Sequence, residues 1–575
     1  MTLRASLLAA ALVLCTSALP AQELGTITFP TSGTPAAQAL FIKGVVLLHS
    51  FEYGDARDMF VAAQKAEPGF AMAYWGEAMT FNHPLWEETA PDLARAALAR
   101  LAATPQARLA KAPTTREKDW LGAVERLYAA GDKHARDVAY ADAMKRMLDK
   151  YPDDPEVKAF CALALMGTGR DTAAYMKAAG IAEQVYATNP AHPGASHYLI
   201  HAFDDPEHAE QGLRFADAYA SIAPGSAHGL HMPSHIYAAL GLWDRASAVN
   251  ERSMAAADAR RNEKALDVDE RGFHAMWWLV YSYAQQGRIE AARGVLAQID
   301  AAARETGSMR TRTHLALARA AFLIETRKWV EASAPVDATD LPREAIAADL
   351  FAIGFAGVRS GNRAMAAGAM QRMASLMQDA PENLAPVRTS PSSGSSRPGI
   401  APIAPGPKAV PQPGISPIKP DAPTATPPAA AGRPRGDARI PQVMAQQLEA
   451  AILFAEGRRD EAVVLARQAA VVESLLPVES GPPNPVKPVF EQVGEMLMDL
   501  RRPKEAMEAF QLSLKRAPKR ALSLLGLARA ATLAREPAVA LAAYSDLREA
   551  WKAADPTLPE LKEVTAALAS RPSSR

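Results

Sequence analysis

The stretch LHSFEYGDARDMFVAAQKAEPGFAMAYWGEAM (48–79) sets a pattern to which this chain keeps returning. Tyr53 closes one apolar run. Ala56, Phe60 and Ala63 recur at helical spacing on the next, and Pro68 breaks the chain before a further helix begins. Breaks follow at Pro152, Pro190, Pro224 and Pro518. Tight turn signals recur in LGLWDRA (240–246), QGRIEAA (286–292), SGNRAMA (360–366), EGRRDEA (456–462) and LRRPKEA (500–506). A short helical hairpin cannot bury its apolar face alone, so hairpins repeated in this way must stack on their neighbours. The composition agrees, being 49% hydrophobic but only 6% aromatic, with Ala, Leu, Arg, Glu and Met, all good helix formers, prominent. The prediction is an all-α solenoid of about ten to twelve hairpins.

The hairpin pattern resembles the tetratricopeptide repeat (TPR) superfamily over nearly the whole chain beyond its first residues. More narrowly, CALALM (161–166), HYLIHAFD (197–204), HMPSHIYAALGLW (231–243) and SLLGLARA (523–530) resemble a group of exported bacterial TPR proteins of mostly unassigned function. The resemblance implies a right-handed superhelix in which the first helix of each hairpin lines a concave groove. The chain departs from the repeat at 166–180, where the 34-residue register is lost, and at 259–272, an insertion between hairpins.

Two segments stand apart from the repeats. Residues 1–22 carry Arg4, an apolar core from Ala5 to Leu14 and small residues near Ala21, which reads as a secretory signal too short to span a bilayer. Its removal leaves Cys161 as the one cysteine, in an apolar helical run where it reads as a small buried hydrophobe. Residues 379–440 are dense in Pro, Ala, Gly and Ser and read as a disordered linker. This divides the array into an N-terminal block, 36–378, and a C-terminal block, 441–570. The expected setting is a soluble exported protein of the periplasm.

Histidine is the residue whose placement is not explained by the repeat alone. His197 and His201 stand four apart, as do His231 and His235, and the second pair follows the first by 34 residues. Residues i and i+4 share a helix face, and packed helix axes lie about 8–10 Å apart. Four imidazoles can therefore converge on one ion. Neutral imidazole suits Zn, Cu, Ni or Fe, and Asp204, Asp205 and Glu77 are candidate partners to orient a ring. Pro233 suits a helix start, which would place His231 ahead of the regular helix and make the two pairs unequal. In the groove implied by the resemblance, His49, Asn82, His83, His228, His274, Glu491 and Glu495 are further candidate contacts. The aromatic residues near it, Trp75, Trp86, Tyr198, Tyr237, Trp277 and Trp278, read first as packing.

Other chemistry finds no footing. His197 is followed by Tyr198 and His231 by Met232, so neither pair is the zinc-protease motif. No nucleophile elbow, phosphate loop or dinucleotide fingerprint occurs at a usable place. Lys+Arg and Asp+Glu both number 63, which gives no basic surface for nucleic acid. Three readings follow: a protein- or peptide-binding module, which the repeat favours; a metal-binding protein or metal-dependent enzyme at the histidines; and a scaffold in the cell envelope.

Overall fold

The computed structural model describes residues 24–169, 171–336, 340–378, 437–478 and 481–569. The export signal expected at 1–22, and all but the last residues of the expected linker, lie outside them. The described residues form helix after helix, with one two-residue strand pair, Asn82–His83 against Glu88–Thr89. Successive helices pack as hairpins: Pro35–His49 on Tyr53–Ala66, Pro155–Met166 on Thr172–Thr188, Pro193–Ala202 on Ala209–Ile222, Phe273–Gln285 on Ile289–Thr306. The described residues form an all-α solenoid of helical hairpins. No helix among the described residues is long and apolar enough to cross a membrane.

Local signals place the helix starts. Proline occupies the first turn in Pro35–His49, Pro91–Leu101, Pro155–Met166 and Pro193–Ala202, where its missing N–H costs nothing. Thr114 and Glu117 form a reciprocal capping box at the start of Thr115–Leu127. The helix expected to be broken at Pro233 is divided there into Ala227–His231 and Pro233–Ala239, yet Met232 keeps helical angles, φ −52° and ψ −39°. The ring removes a hydrogen bond without turning the axis, so His231 and His235 remain on one face.

Inner helices also pack on inner helices of neighbouring hairpins. The first hairpin reaches helix Pro193–Ala202, and the insertion at 259–272 prolongs helix Trp243–Lys264 so that Arg260 and Lys264 reach back to Asp55 of the first hairpin. One apolar core runs from Phe29 and Phe41 to Ile236 and Val249 and includes Trp75, Trp120 and Tyr198. Cys161 is buried within it, its thiol pushed up to about 11 by burial.

The linker is shorter than expected at its C-terminal end. A helix already begins at Arg439, and Ile440 is buried against helix Arg343–Ser360, because its apolar face has a partner there. From this point the chain turns back onto the earlier hairpins. Arg520 is fully buried and joins the returning hairpins to an earlier one, bonding Glu491 through Nε (2.7 Å) and Nη2 (3.1 Å) and Glu325 through Nη1 (2.5 Å). Burial alone would raise the Glu491 pKa, but Arg520 and Lys487 hold it well below the usual carboxylate range. The expected place of Glu491 and Glu495 beside the histidines is corrected here. Lys487 bonds both, at 2.7 and 3.0 Å, because charges this deep keep company only with opposite charges. Replacing Arg520 with Met should cost about 3–5 kcal/mol in urea unfolding, because Glu325 is left buried without its cation and Glu491 keeps only Lys487. An unchanged midpoint would show that this bridge holds nothing together.

Candidate metal centre

Four helices bring six histidines together. Helix Pro193–Ala202 supplies His197 and His201, the consecutive helices Ala227–His231 and Pro233–Ala239 supply His228, His231 and His235 along one face, and Phe273–Gln285 supplies His274. The four-histidine site expected from the repeat does not form. The ligand atoms group instead as His197, His201 and His228, and as His231, His235 and His274, each set within 4.8 Å. The reason is the spacing along the middle pair of helices. His228 lies one turn before His231 and faces the first pair, which leaves His231 and His235 to the helix that follows. His228 and His274, expected as groove contacts, complete the two triads. The triads adjoin: the His201 and His235 rings are 5.7 Å apart, those of His228 and His231 6.1 Å.

The hydrogen bonds behind the rings set their protonation. His197 Nδ1 donates to the carbonyl of His49 at 2.6 Å. His231 Nδ1 donates to Asn250 Oδ1 at 2.6 Å, and the Asn250 amide is oriented by its own bond to the Ala246 carbonyl. His235 Nδ1 donates to Asp204 at 2.6 Å, as expected of an orienting carboxylate. Each of these three rings therefore turns its Nε2 toward the centre. Burial pushes His197 and His231 down to about 3, and His228 and His274 well below their ordinary value.

Those Nε2 atoms face other imidazoles. Nε2 of His231 lies 3.1 Å from Nε2 of His235. Nε2 of His197 lies 3.1 Å from that of His228 and 3.2 Å from that of His201, where one lone pair can take only one proton bond. A tetrahedral ion with metal–nitrogen bonds of about 2.0–2.1 Å holds its nitrogens about 3.3–3.4 Å apart. The observed separations are close to the edge of such a shell.

A third cluster closes on itself. His49 is fully buried rather than groove-facing, because Gly194 lets the two helices meet: a Cβ there would stand 2.4 Å from His49 Nδ1. Its Nε2 donates to Glu156 at 2.8 Å and its Nδ1 accepts from the Tyr198 hydroxyl at 2.8 Å. His192 Nδ1 accepts from the Ala195 amide, which leaves Nε2–H for Glu156 at 3.2 Å. Donors and acceptors match without an ion. Burial would raise Glu156, but the two rings beside it hold its carboxyl down to about 2. Glu156 and His192 went unremarked as partners in the sequence, since nothing local announces a contact across four helices. The cluster fixes the His49 carbonyl against His197.

Other candidates fall elsewhere. His83 stacks on Tyr53 at 3.9 Å and bonds Glu88 at 3.2 Å, and Asn82 is buried in the short strand pair, so neither enters the centre. Glu77 is held by Gln64 and Arg100, and Asp205 by His208. Beside the triads lies an open pocket of about 710 Å³, bounded by Trp86, Trp277, Trp278 and Tyr175 and, across it, by Arg439 and Lys515 of the C-terminal block. Of the aromatics near the groove, Trp75 and Tyr198 are packing, whereas Trp86, Trp277 and Trp278 face this space.

No family model and no curated protein matches the chain. Solved structures do. The APC/C hetero-tetramer Cut9-Hcn1 is similar at 9% identity and a TM-score of 0.35, over 93% of this chain and 76% of that one. The human IFIT1 dimer with m7Gppp-AAAA is similar at 12% identity and a TM-score of 0.33, over 94% and 92%. Both likenesses are remote.

Glu156→Gln should destabilise the fold by about 1–3 kcal/mol at pH 7, since one ring N–H loses its acceptor. The carboxyl is depressed in the folded state, so its contribution is present above the unfolded value near 4.5 and is lost as pH falls toward about 2. Unfolding curves of the two proteins should converge over that interval. A gap unchanged down to pH 2 would show that the carboxylate does not hold the rings.

Proposed function

We propose that this protein binds two transition-metal ions, one in each histidine triad. The observation that carries the reading is the pair His231 and His235, whose Nδ1 atoms are held by Asn250 and Asp204 while their Nε2 atoms face each other at 3.1 Å. A cation is what relieves that arrangement. Imidazole donors suit Zn, Cu, Ni or Fe. Three protein donors per ion leave a coordination position for an exogenous ligand, and the pocket beside the rings supports its entry. The residues that orient His197, His231 and His235 support a held site rather than chance proximity.

A second reading, the one the repeat architecture favours, is a protein or peptide held in the groove. The half-exposed Trp86 at the rim supports it. The sequence of residues 1–22 supports export, and with it a metal acquired outside the cytoplasm; fractionation of cells making the full-length chain tests that.

The central measurement is elemental analysis of the full chain, without a histidine tag, after loading with each metal and removal of excess. Two equivalents are expected for the native protein and one for either His197→Ala or His231→Ala. No stoichiometric metal from any of the four, in a protein with full helical circular dichroism, sinks the reading and leaves the peptide groove.

A further inference from the structure

Resting on the two-ion reading, we infer that the ions are copper and that the centre oxidises an electron-rich aromatic diol at the expense of dioxygen. The donor sets come first. All six ligands are neutral imidazoles and none is anionic; the Asp204 carboxylate meets the back of His235 rather than an ion. Two doubly charged ions would bring four positive charges into a shell that returns none, so that state is held only while reduced oxygen or the diolate supplies negative charge at the open positions. Of the metals that imidazole suits, copper is the one with an accessible singly charged state, and three nitrogen donors satisfy it. A singly charged ion relieves the charge problem and carries an electron to give.

The adjacency of the triads supplies the second step. Two cuprous ions beside each other release two electrons together, and each keeps an open position. The pocket supplies the third. Its wall beside the rings is aromatic, with the Trp278 ring 4.5 Å from that of His235 and Trp86 5.5 Å from His228. A flat ring fits against these stacking faces, and the volume suits a small molecule.

The chemistry balances as follows. Each of two catechols breaks two O–H bonds, gives up two electrons and two protons, and leaves as an o-quinone. One dioxygen accepts the four electrons and four protons, its O–O bond breaks, four O–H bonds form, and it leaves as two waters. The copper pair passes the electrons two at a time and ends as it began.

The test uses the full chain loaded anaerobically with cuprous ion, with metal content measured on the same sample. Air-saturated buffer and catechol are then added, and oxygen uptake and quinone absorbance are followed. Two copper per chain, one oxygen consumed per two quinones formed, and loss of at least 100-fold of the rate in zinc-loaded protein and in His228→Ala are expected. The zinc-loaded comparison needs no mutation, so a misfolded variant cannot decide the outcome. Two bound copper ions with no oxygen uptake overturn this inference and leave the metal reading standing. No bound copper overturns this inference alone, and no stoichiometric metal from any of the four overturns both. Equal rates with a saturated ring diol such as cyclohexane-1,2-diol overturn the aromatic assignment.

Discussion

The close approach of the first inner helix to the fifth hairpin is the constraint on which the rest depends. Helix Pro35–His49 meets helix Pro193–Ala202 at Gly194, where any side chain would strike the His49 ring. That contact buries His49 between Tyr198 and Glu156 and presents its carbonyl to His197 Nδ1. The tautomer of His197 is thereby set from the opposite end of the repeat array. A solenoid whose first hairpin stood one side chain further away would have the same helices and a different centre.

Two kinds of buried charge follow from this packing, and they do different work. Arg520, Glu491, Glu325 and Lys487 are fully matched and join the returning C-terminal hairpins to helix Met309–Thr326. They are structural: each charge is satisfied by its neighbours and nothing further is called for. The six histidines are the contrary case. The outer nitrogens of His197, His231 and His235 are satisfied by carbonyl, amide and carboxylate, and their Nε2 atoms face other imidazoles. The His49–Glu156–His192 cluster lies between the two, matched like the first and placed to support the second.

Much of the solenoid was legible from the chain, because helix periodicity, proline at first turns and turn signals are local. The i,i+4 pairs were legible too, since both members lie on one helix. Grouping was not. The 34-residue offset argued for His197, His201, His231 and His235 around one point, yet His228 is nearer to His197 than the repeat partner His231 can be. His49 kept its register position but not its groove, since the superhelix winds tightly enough to cover it. Glu491 and Glu495 likewise hold helix positions readable from sequence, and partners that only the fold supplies.

The sequence by itself determined the helices, the hairpin order and the clustering of histidine on successive inner faces, because each depends on spacings within about one repeat. Tertiary structure decided which histidines share a point, which nitrogen of each keeps its lone pair, and what wall stands across the pocket. Those depend on the winding of the superhelix and on the return of residues 437–569 onto it. They sum small rotations over many hairpins, and no single stretch of the chain encodes that sum.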